Sequence, residues 1–292
     1  MSTIEDRIRA LALWRGALHL EPLSGGLSNL SFVARDAEKK LVVRVGRDLP
    51  FHHVQREREV MVTRAAHQAG FAPELVHAEP GIMVSRFIDG ITFDAAGVRA
   101  ALPRVADLLA EFHRRMPALV RGPAFLFWPF HVIRDYARCL REGGSPHQRR
   151  LDAFLALAGE LEAVQTPLPI VFGHHDLLPA NFIDDGDRLW LIDFEYAGFG
   201  TAMFDLAGLS SNAGCSPDES LALLTTYLGV VPTPELLRAH AAMQCASLLR
   251  EALWSMVSEL HMRTPGVDYA AYTRDNLVAL DGAVSHYRCR FG

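Results

Sequence analysis

Residues 171–200, VFGHHDLLPANFIDDGDRLWLIDFEYAGFG, carry polar side chains whose types and spacing could bind a metal ion. An Asp-Gly turn between two apolar runs predicts a β-hairpin, which brings Asn181 and Asp193 to its open end. Asp176, in the loop before the hairpin, and Glu195, just after it, lie beside that end. Three carboxylates and a carboxamide repel one another unless they share a cation, and such oxygen ligands suit magnesium. The hairpin therefore predicts a magnesium site that also holds phosphates.

The segment PLSGGLSNLSF lies between two predicted strands and could supply donors for phosphate oxygens. Gly25 and Gly26 let the backbone approach an anion closely, while Ser28 and Asn29 add side-chain donors. A Gly-Gly pair is also common in ordinary hairpin turns, so the segment alone indicates a phosphate loop only weakly.

Arg44 stands in the middle of the apolar strand LVVRVG. Burying a cation there is costly without a partner, and the candidate partner is Glu59 on the helix that follows, with Glu57 as its rival. The planar fork of an arginine can hold carboxylate and phosphate oxygens together. We expect Arg44 and one of these glutamates to form part of the site.

The spacing of apolar residues changes near residue 90 and predicts two lobes. Before that point, five short β-branched or alternating runs predict strands, and the charged segment between the third and fourth predicts one main helix. After it, apolar residues recur at helical spacing everywhere except in the hairpin. The pattern indicates an α+β fold with a small sheet lobe over residues 1–88 and a larger helical lobe over residues 89–292. The first twenty residues predict an amphipathic helix.

Composition narrows the class of partner. The 292 residues are half apolar and carry a net charge of −5, which gives no long-range attraction to nucleic acid or anionic lipid. No run approaches the roughly 20 apolar residues that span a bilayer, so we expect no membrane insertion. Four cysteines without CxxC spacing exclude the usual zinc and redox patterns and favour a cytoplasmic protein. A small molecule is the expected partner.

Several motifs together resemble a known family. GGLSN, VVRV, SRFIDG, HHDLLPANFI and LIDFEYAGFGTAMFDLA are similar, in order and spacing, to the choline/ethanolamine kinase branch of the aminoglycoside-phosphotransferase-like kinases. The resemblance extends over about residues 20–210. It implies a protein-kinase-like bilobal fold, an antiparallel N-terminal sheet, ATP and Mg²⁺ as cofactors, and a small-molecule kinase activity.

The resemblance also implies roles for the hairpin residues. Asp176 resembles the catalytic aspartate that orients the substrate hydroxyl and accepts its proton, a task for which an ordinary ionised carboxylate suffices. Asn181 and Asp193 resemble the magnesium ligands, with Glu195 close to the metal. Arg44 takes the place of the lysine of protein kinases, and its implied partner is Glu59.

Further implied contacts bind the nucleotide. The glycine loop would cover the phosphates through residues that include Ser24, Gly25, Gly26, Ser28 and Asn29. The backbone at Ser85 and Phe87 would meet the adenine at the hinge between the lobes.

The acceptor is the point at which the sequence departs from the family pattern. Choline kinases resemble one another in an aromatic cage around the quaternary ammonium. Here LLREALWSMVSEL keeps Trp254, but Glu251 stands where another aromatic residue is expected, and Asn212 stands where animal enzymes have an acidic residue. Glu251 and Trp254 share a helix face, which suits a small amino alcohol or another cation. Trp254 is equally well explained as a core residue.

Three functions follow from these observations. The first is a kinase of a small amino alcohol, with choline or ethanolamine foremost. The second is a related kinase that acts on thiamine, an aminoglycoside or a sugar-like alcohol. The third is a nucleotide-binding regulatory protein without catalysis, which the sequence disfavours because no catalytic or metal position is missing.

Overall fold

The structure is a computed structural model that describes residues 3–23, 27–123, 125–264 and 266–292. A five-stranded antiparallel sheet in the order β1-β2-β3-β5-β4 forms its N-terminal part. The strands are β1 (His19–Leu23), β2 (Leu30–Arg35), β3 (Lys40–Val45), β4 (Leu75–Glu79) and β5 (Ile82–Arg86). The sequence prediction of five strands is confirmed.

Helix α2 (Arg56–Gln68) connects β3 to β4 and is the one main helix predicted for this lobe. It ends before Gly70, whose φ of 80° is a conformation that glycine adopts without a steric penalty. The buried side chains of Val62 and Ala66 belong to the same apolar core as buried residues of the helical lobe. Helix α2 therefore packs against both lobes.

The N-terminal helix is shorter than the sequence predicts. Helix α1 covers only Ile4–Arg9, and two side chains then turn the chain back towards β1. The indole of Trp14 donates to the carbonyl of Ile8 at 2.7 Å, and the guanidinium of Arg9 donates to the carbonyl of Leu18 at 2.7 Å. The prediction of a helix over the first twenty residues is wrong, because these hydrogen bonds compete with continued helical pairing.

The second lobe is mainly helical. Its helices are α3 (Ala95–Ala100), α4 (Leu102–Arg115), α5 (Pro129–Glu142), α6 (Leu151–Ala163), α7 (Ala202–Asn212), α8 (Pro217–Leu228), α9 (Pro234–His261) and α10 (Tyr269–Phe291). Helical spacing predicts most of them. Helix α7 escapes prediction because every residue from Ala202 to Ser210 is buried, which leaves no polar face to reveal a helical period.

The predicted hairpin is present between β8 (Phe182–Asp184) and β9 (Leu189–Leu191). Its open end is closed by a hydrogen bond from the amide of Ile192 to the carbonyl of Asn181 at 3.1 Å. The two-residue strand β6 (Ile91–Thr92) pairs with the other side of β8. The strand before the loop, β7 (Ile170–Gly173), pairs with β10 (Gly198–Thr201) instead of joining the hairpin.

The chain passes from the sheet to the helical lobe between the end of β5 at Arg86 and the start of β6 at Ile91. A division into residues 1–88 and 89–292 lies within this connection and stays a prediction. Among the helices in the described part of the chain, none combines the length and the apolar character that a bilayer crossing demands.

Candidate active site

The loop that carries Asp176 is fixed by a buried carboxylate. Asp205, on α7, accepts hydrogen bonds from the backbone amides of His174 and His175, both at 2.7 Å. Nε2 of His113 lies 2.8 Å from the same carboxylate. Burial works against ionisation of Asp205, but the bond from His113 and the neighbouring histidines hold its pKa well below the usual range. Asp205 thus anchors the loop as an anion.

His174 supports the loop from a buried position. Its ring is buried, and its Nε2 lies 2.9 Å from the carbonyl of Ile192, next to the hairpin. Burial lowers the pKa of His174, so the imidazole is neutral at physiological pH. The ring therefore ties the loop to the hairpin.

Asp176 follows His175, whose φ of 62° turns the chain sharply. Burial raises the pKa of Asp176 well above the usual range, and the charges of Asp193 and Glu251 raise it further. Arg250 opposes them. The structure thus differs from the expectation of an ordinary carboxylate, because tertiary packing removes Asp176 from most of its water and surrounds it with like charge.

Asn181 and Asp193 offer oxygen ligands at the open end of the hairpin. The amide nitrogen of Asn181 donates to the carbonyl of Asp176 at 2.8 Å, which leaves its side-chain oxygen available. Asp193 has a φ of 70°, a strained conformation for a residue with a side chain, and its carboxylate is about 30% exposed to the cleft.

This donor set fits magnesium. Mg²⁺ is usually held by one or two carboxylate or amide oxygens, with substrate phosphates and water completing its shell. Within the described ranges, no group of three or more His, Cys, Asp or Glu side chains is arranged to hold a metal alone. Asn181 and Asp193 would therefore supply only part of the coordination.

The structure places Glu195 differently from the prediction of a metal-proximal ligand. Its carboxylate is 4% exposed and faces the N-terminal sheet lobe. It receives hydrogen bonds from Arg44 at 3.1 Å and Arg56 at 2.9 Å. Ser28 and Asn29 donate to it as well, at 3.0 and 3.1 Å. With four donors on its two oxygens, Glu195 connects the lobes and is not free to bind a metal in this conformation.

Arg44 lies at the centre of the cleft and pairs with Glu59. Its Nη1 is 2.7 Å from Oε1 of Glu59, an ion pair without the alignment of a hydrogen bond. Its Nη2 donates to Oδ1 of Asp193 at 2.7 Å. Glu57 is exposed on the outer side of α2, so the choice between the two glutamates falls on Glu59.

The structure describes only part of the predicted phosphate loop. Ser24, Gly25 and Gly26 lie outside the described residues. The side-chain donors of Ser28 and Asn29 are directed to Glu195, so the expectation that they bind phosphate is not supported in this conformation. Both side chains donate to this buried carboxylate, which Arg44 and Arg56 also bind.

The predicted adenine contacts lie at the end of β5. Ser85 is paired with Val42 on β3 and Leu75 on β4, so its backbone already belongs to the sheet. Phe87 follows the strand, and the ammonium of Lys40 lies 3.4 Å from its ring centroid. Contact of either residue with adenine stays a prediction.

A small cavity of about 20 Å³ lies beside Asp176. Asn212, Arg250 and Glu251 line it, so the structure brings two of the three predicted acceptor residues next to Asp176. Asn212 also donates to the carbonyl of Leu177 at 3.1 Å. Arg250, which lies next to Glu251 in the sequence, is a site residue that the sequence analysis overlooks, although a charge inside an otherwise apolar helix face is a detectable signal.

Trp254 does not line this cavity. Its indole is 4% exposed, donates to the hydroxyl of Tyr196 at 2.8 Å and stacks on His52 with centroids 4.7 Å apart. This packing favours the alternative of a core residue, and contact of Trp254 with the acceptor stays a prediction.

A large cavity, about 1130 Å³, does not coincide with Asp176 or with the candidate metal ligands. It is bounded by α2, the β4–β5 turn and the end of α9, and it reaches Arg44 and Glu59 but not Asp176, Asn181 or Asp193. Size therefore does not locate the chemistry, whereas the convergence of the catalytic loop, the hairpin end and Arg44 does. Such a set of a proton acceptor, two oxygen ligands and a cation suits phosphoryl transfer, which depends on positioning and charge neutralisation.

Comparison with known proteins agrees with this chemistry. The profile of the phosphotransferase enzyme family matches residues 19–254. The chain is 26% identical to protein LicA of Haemophilus influenzae over 86% of its own length and 77% of that protein. It is 29% identical to a probable ethanolamine kinase of Arabidopsis thaliana, over 69% of this chain and 58% of that protein.

Solved structures extend the likeness to the whole fold. A choline/ethanolamine kinase family protein from Mesorhizobium loti superposes with a TM-score of 0.77 and 27% identity, covering 96% of this chain and 95% of the other. Choline kinase LicA from Streptococcus pneumoniae, at 23% identity, shares the fold with a TM-score of 0.75 over 96% of this chain and 98% of that one. Because the family profile spans most of the sequence, including every residue from Arg44 to Asp205 that forms the site, the chain belongs to the phosphotransferase enzyme family.

Proposed function

We propose that this protein transfers the γ-phosphate of ATP, with Mg²⁺, to the hydroxyl group of a small amino alcohol, choline or ethanolamine first. The names of its relatives, which include a probable ethanolamine kinase and choline kinase LicA, support this class of acceptor. Since ATP is abundant in the cytoplasm, we place the reaction there.

The observation that carries the proposal is the link between Asp176 and Asn181. The side chain of Asn181 donates to the backbone of Asp176, so the proton acceptor and a magnesium ligand are held in one fixed relation. A kinase needs this relation because the acceptor hydroxyl and the phosphate must meet in line.

Each residue of the site has a defined task in this reaction. Asp176 orients the acceptor hydroxyl and takes its proton as the new P–O bond forms. Arg44, held by Glu59 and Asp193, presents a positive charge where phosphate oxygens would lie. Mg²⁺, when bound by Asn181 and Asp193, would neutralise phosphate charge.

The position of Glu251 favours an acceptor that carries an amine. Its carboxylate lines the cavity beside Asp176, together with Asp205 and Arg250, so acidic groups outnumber basic ones around an ammonium group there. The hydroxyl of Tyr272 donates to Oε1 of Glu251 at 2.8 Å and fixes its position.

Release of ADP tests the proposal directly. Purified protein is supplied with ATP and a series of alcohols that includes choline, ethanolamine, thiamine, an aminoglycoside and a neutral sugar, each with and without Mg²⁺. We expect Mg²⁺-dependent ADP release with an amino alcohol that greatly exceeds release without an acceptor. Release with the sugar alone, or with no acceptor in the series, would contradict the proposal.

A further inference from the structure

Arg250 is a buried cation in the wall of the cavity beside Asp176. The residue is 3% exposed and lies on α9. Its Nη1 forms an ion pair with Glu251, and its guanidinium carbon lies 4.8 Å from the ring centroid of Tyr196. Placing a charged side chain here is costly, so the groups that remain unpaired indicate what the site is built to meet.

Two nitrogens of Arg250 are buried without a hydrogen-bond partner among the described residues. They are Nε and Nη2, which lie side by side on one edge of the guanidinium plane. This edge presents two parallel N–H groups, the arrangement that binds both oxygens of a carboxylate. Buried donors left without acceptors are uncommon in folded proteins, and they commonly point to a missing ligand or water.

The same residue disfavours a quaternary ammonium. Phe204 lines the cavity, and the ring of Tyr196 behind Arg250 is already covered by the guanidinium. A trimethylammonium group placed beside this guanidinium would meet like charge and could not accept its two hydrogen bonds. Choline is thus a poor match for the Arg250 edge.

A zwitterion meets groups of both signs in the cavity, whose lining carries three carboxylates (Asp176, Asp205 and Glu251) and the guanidinium of Arg250. Asp176 and Glu251 attract an ammonium, while the free edge of Arg250 attracts a carboxylate, and a molecule with both groups adds no net charge. The cavity holds about one water molecule in this conformation, since its volume is about 20 Å³. The acceptor must therefore be small, and the pocket must widen as it binds.

We propose that Arg250 is a specificity-determining residue that selects an amino alcohol bearing a carboxylate, bound through the Nε–Nη2 edge while its hydroxyl faces Asp176. The inference rests on the kinase function proposed above and narrows its acceptor class from simple amino alcohols to hydroxylated amino acids.

Matched acceptors test the inference. Serine and ethanolamine differ only by the carboxylate, as do homoserine and 3-aminopropan-1-ol, so each pair isolates that group. We expect the carboxylate member of at least one pair to have a kcat/KM at least about 10- to 150-fold higher, mainly through a lower KM, which is the gain that one charge-assisted hydrogen bond provides.

Variants assign the preference to Arg250. Arg250→Met should abolish the advantage of the carboxylate acceptor, and Arg250→Lys, which keeps the charge but lacks the planar fork, should retain only part of it. The melting temperature and the KM for ATP are measured on both variants, so that misfolding is recognised. Arg238→Met, at an exposed position on the same helix, is the matched control and should leave the preference unchanged.

The outcomes separate the two proposals. ADP release with ethanolamine or choline that equals or exceeds release with the carboxylate acceptors would overturn the role of Arg250 and leave the kinase function standing. A carboxylate preference that survives in folded Arg250→Met would also overturn it. No ADP release with any alcohol would overturn both.

Discussion

Two carboxylates of the site, Asp193 and Asp176, are held by the protein in different ways. The backbone of Asp193 has a left-handed conformation, and one of its carboxylate oxygens accepts a hydrogen bond from Arg44. The strained backbone and this hydrogen bond together fix the direction of its other oxygen. Asp176 lies in a place that resists its ionisation, although the proposed proton transfer requires the ionised form. Function at this scale therefore depends on how each carboxylate is held.

Asp193→Ala should abolish phosphoryl transfer while the protein stays folded, because the residue is the proposed metal ligand, pairs with Arg44 and is not part of an apolar core. ADP release and the melting temperature are measured together. Asp187→Ala, at the exposed tip of the same hairpin, is the control and should behave like the wild type. Wild-type turnover in Asp193→Ala would remove this residue from the proposed metal site.

Asp176→Asn should lower kcat by at least about 10²-fold and leave ATP affinity nearly unchanged, since the carboxylate acts on the acceptor hydroxyl. Turnover and nucleotide binding are measured separately. A variant that loses ATP binding would show that Asp176 has a structural or metal-binding role.

The raised pKa of Asp176 adds a stability effect with a definite sign. A folded-state pKa above the unfolded value means that the folded state binds more protons between the two, so stability falls as the pH rises through that interval. Asp176→Asn removes the cost of ionising a buried carboxyl group. It should therefore raise the melting temperature at neutral pH, measured without metal or nucleotide. The difference from the wild type should vanish below the unfolded pKa of about 3.9.

At the scale of elements, α7 and α9 position the catalytic loop and the acceptor cavity. Helix α7 contributes Asp205 beneath the loop, and α9 contributes Arg250 and Glu251 at the cavity while its other face enters the apolar core. These helices hold their polar residues in place because the surrounding core fixes their position.

Asp205→Asn should lower the free energy of unfolding by about 3–5 kcal/mol, because it leaves buried amides and His113 with a weaker partner. Its pKa is depressed, so this stabilisation is present above the unfolded pKa of about 3.9 and is lost as the pH falls through the lower folded pKa. Denaturant unfolding at pH 7 and at pH 3 measures both effects. Asp275→Asn, exposed on α10, serves as control.

Trp254→Ala should cost about 3–5 kcal/mol of stability without a selective rise in the KM of the acceptor, because the indole packs in the core of the helical lobe. Trp254→Phe keeps most of the packing and loses only the hydrogen bond to Tyr196, so this variant should lose less stability. A selective rise in acceptor KM with an unchanged melting temperature would return Trp254 to the acceptor site.

At the scale of the whole molecule, the lobes are joined by charge as well as by the chain. The carboxylate of Glu195, just past the hairpin of the helical lobe, accepts hydrogen bonds from the sheet lobe and from α2. Its backbone carbonyl also accepts from Arg58 of α2 at 3.0 Å. This contact holds Arg44 and Asp193 opposite each other across the cleft.

Glu195→Gln should loosen the sheet lobe and cost about 1–3 kcal/mol, because Arg44 and Arg56 lose a charged partner. Hydrogen exchange of the amides in β2 and β3 should quicken, and the KM for ATP should rise. Glu38→Gln, exposed in the β2–β3 turn, is the control. Unchanged exchange in Glu195→Gln would show that the lobes are held by other contacts.

The sequence by itself determined the elements and most of the candidate residues. Strand alternation, helical spacing and the Asp-Gly turn depend on neighbours in the chain, so they place the sheet, the main helix and the hairpin without tertiary information. The same local pairing brings Asn181 and Asp193 to one end of the hairpin.

Only the tertiary structure decided how those residues are used. Where the Glu195 carboxylate points depends on groups far away in the sequence, such as Arg44 at 151 residues and Ser28 at 167 residues. Which of two nearby glutamates meets Arg44 and how far burial moves the pKa of Asp176 depend on how the elements pack around these residues. Trp254 and Arg250 lie four residues apart on α9, yet one enters the core and the other reaches the cavity. Helical spacing shows which side chains share a face, but only the packing of the lobes decides what that face meets.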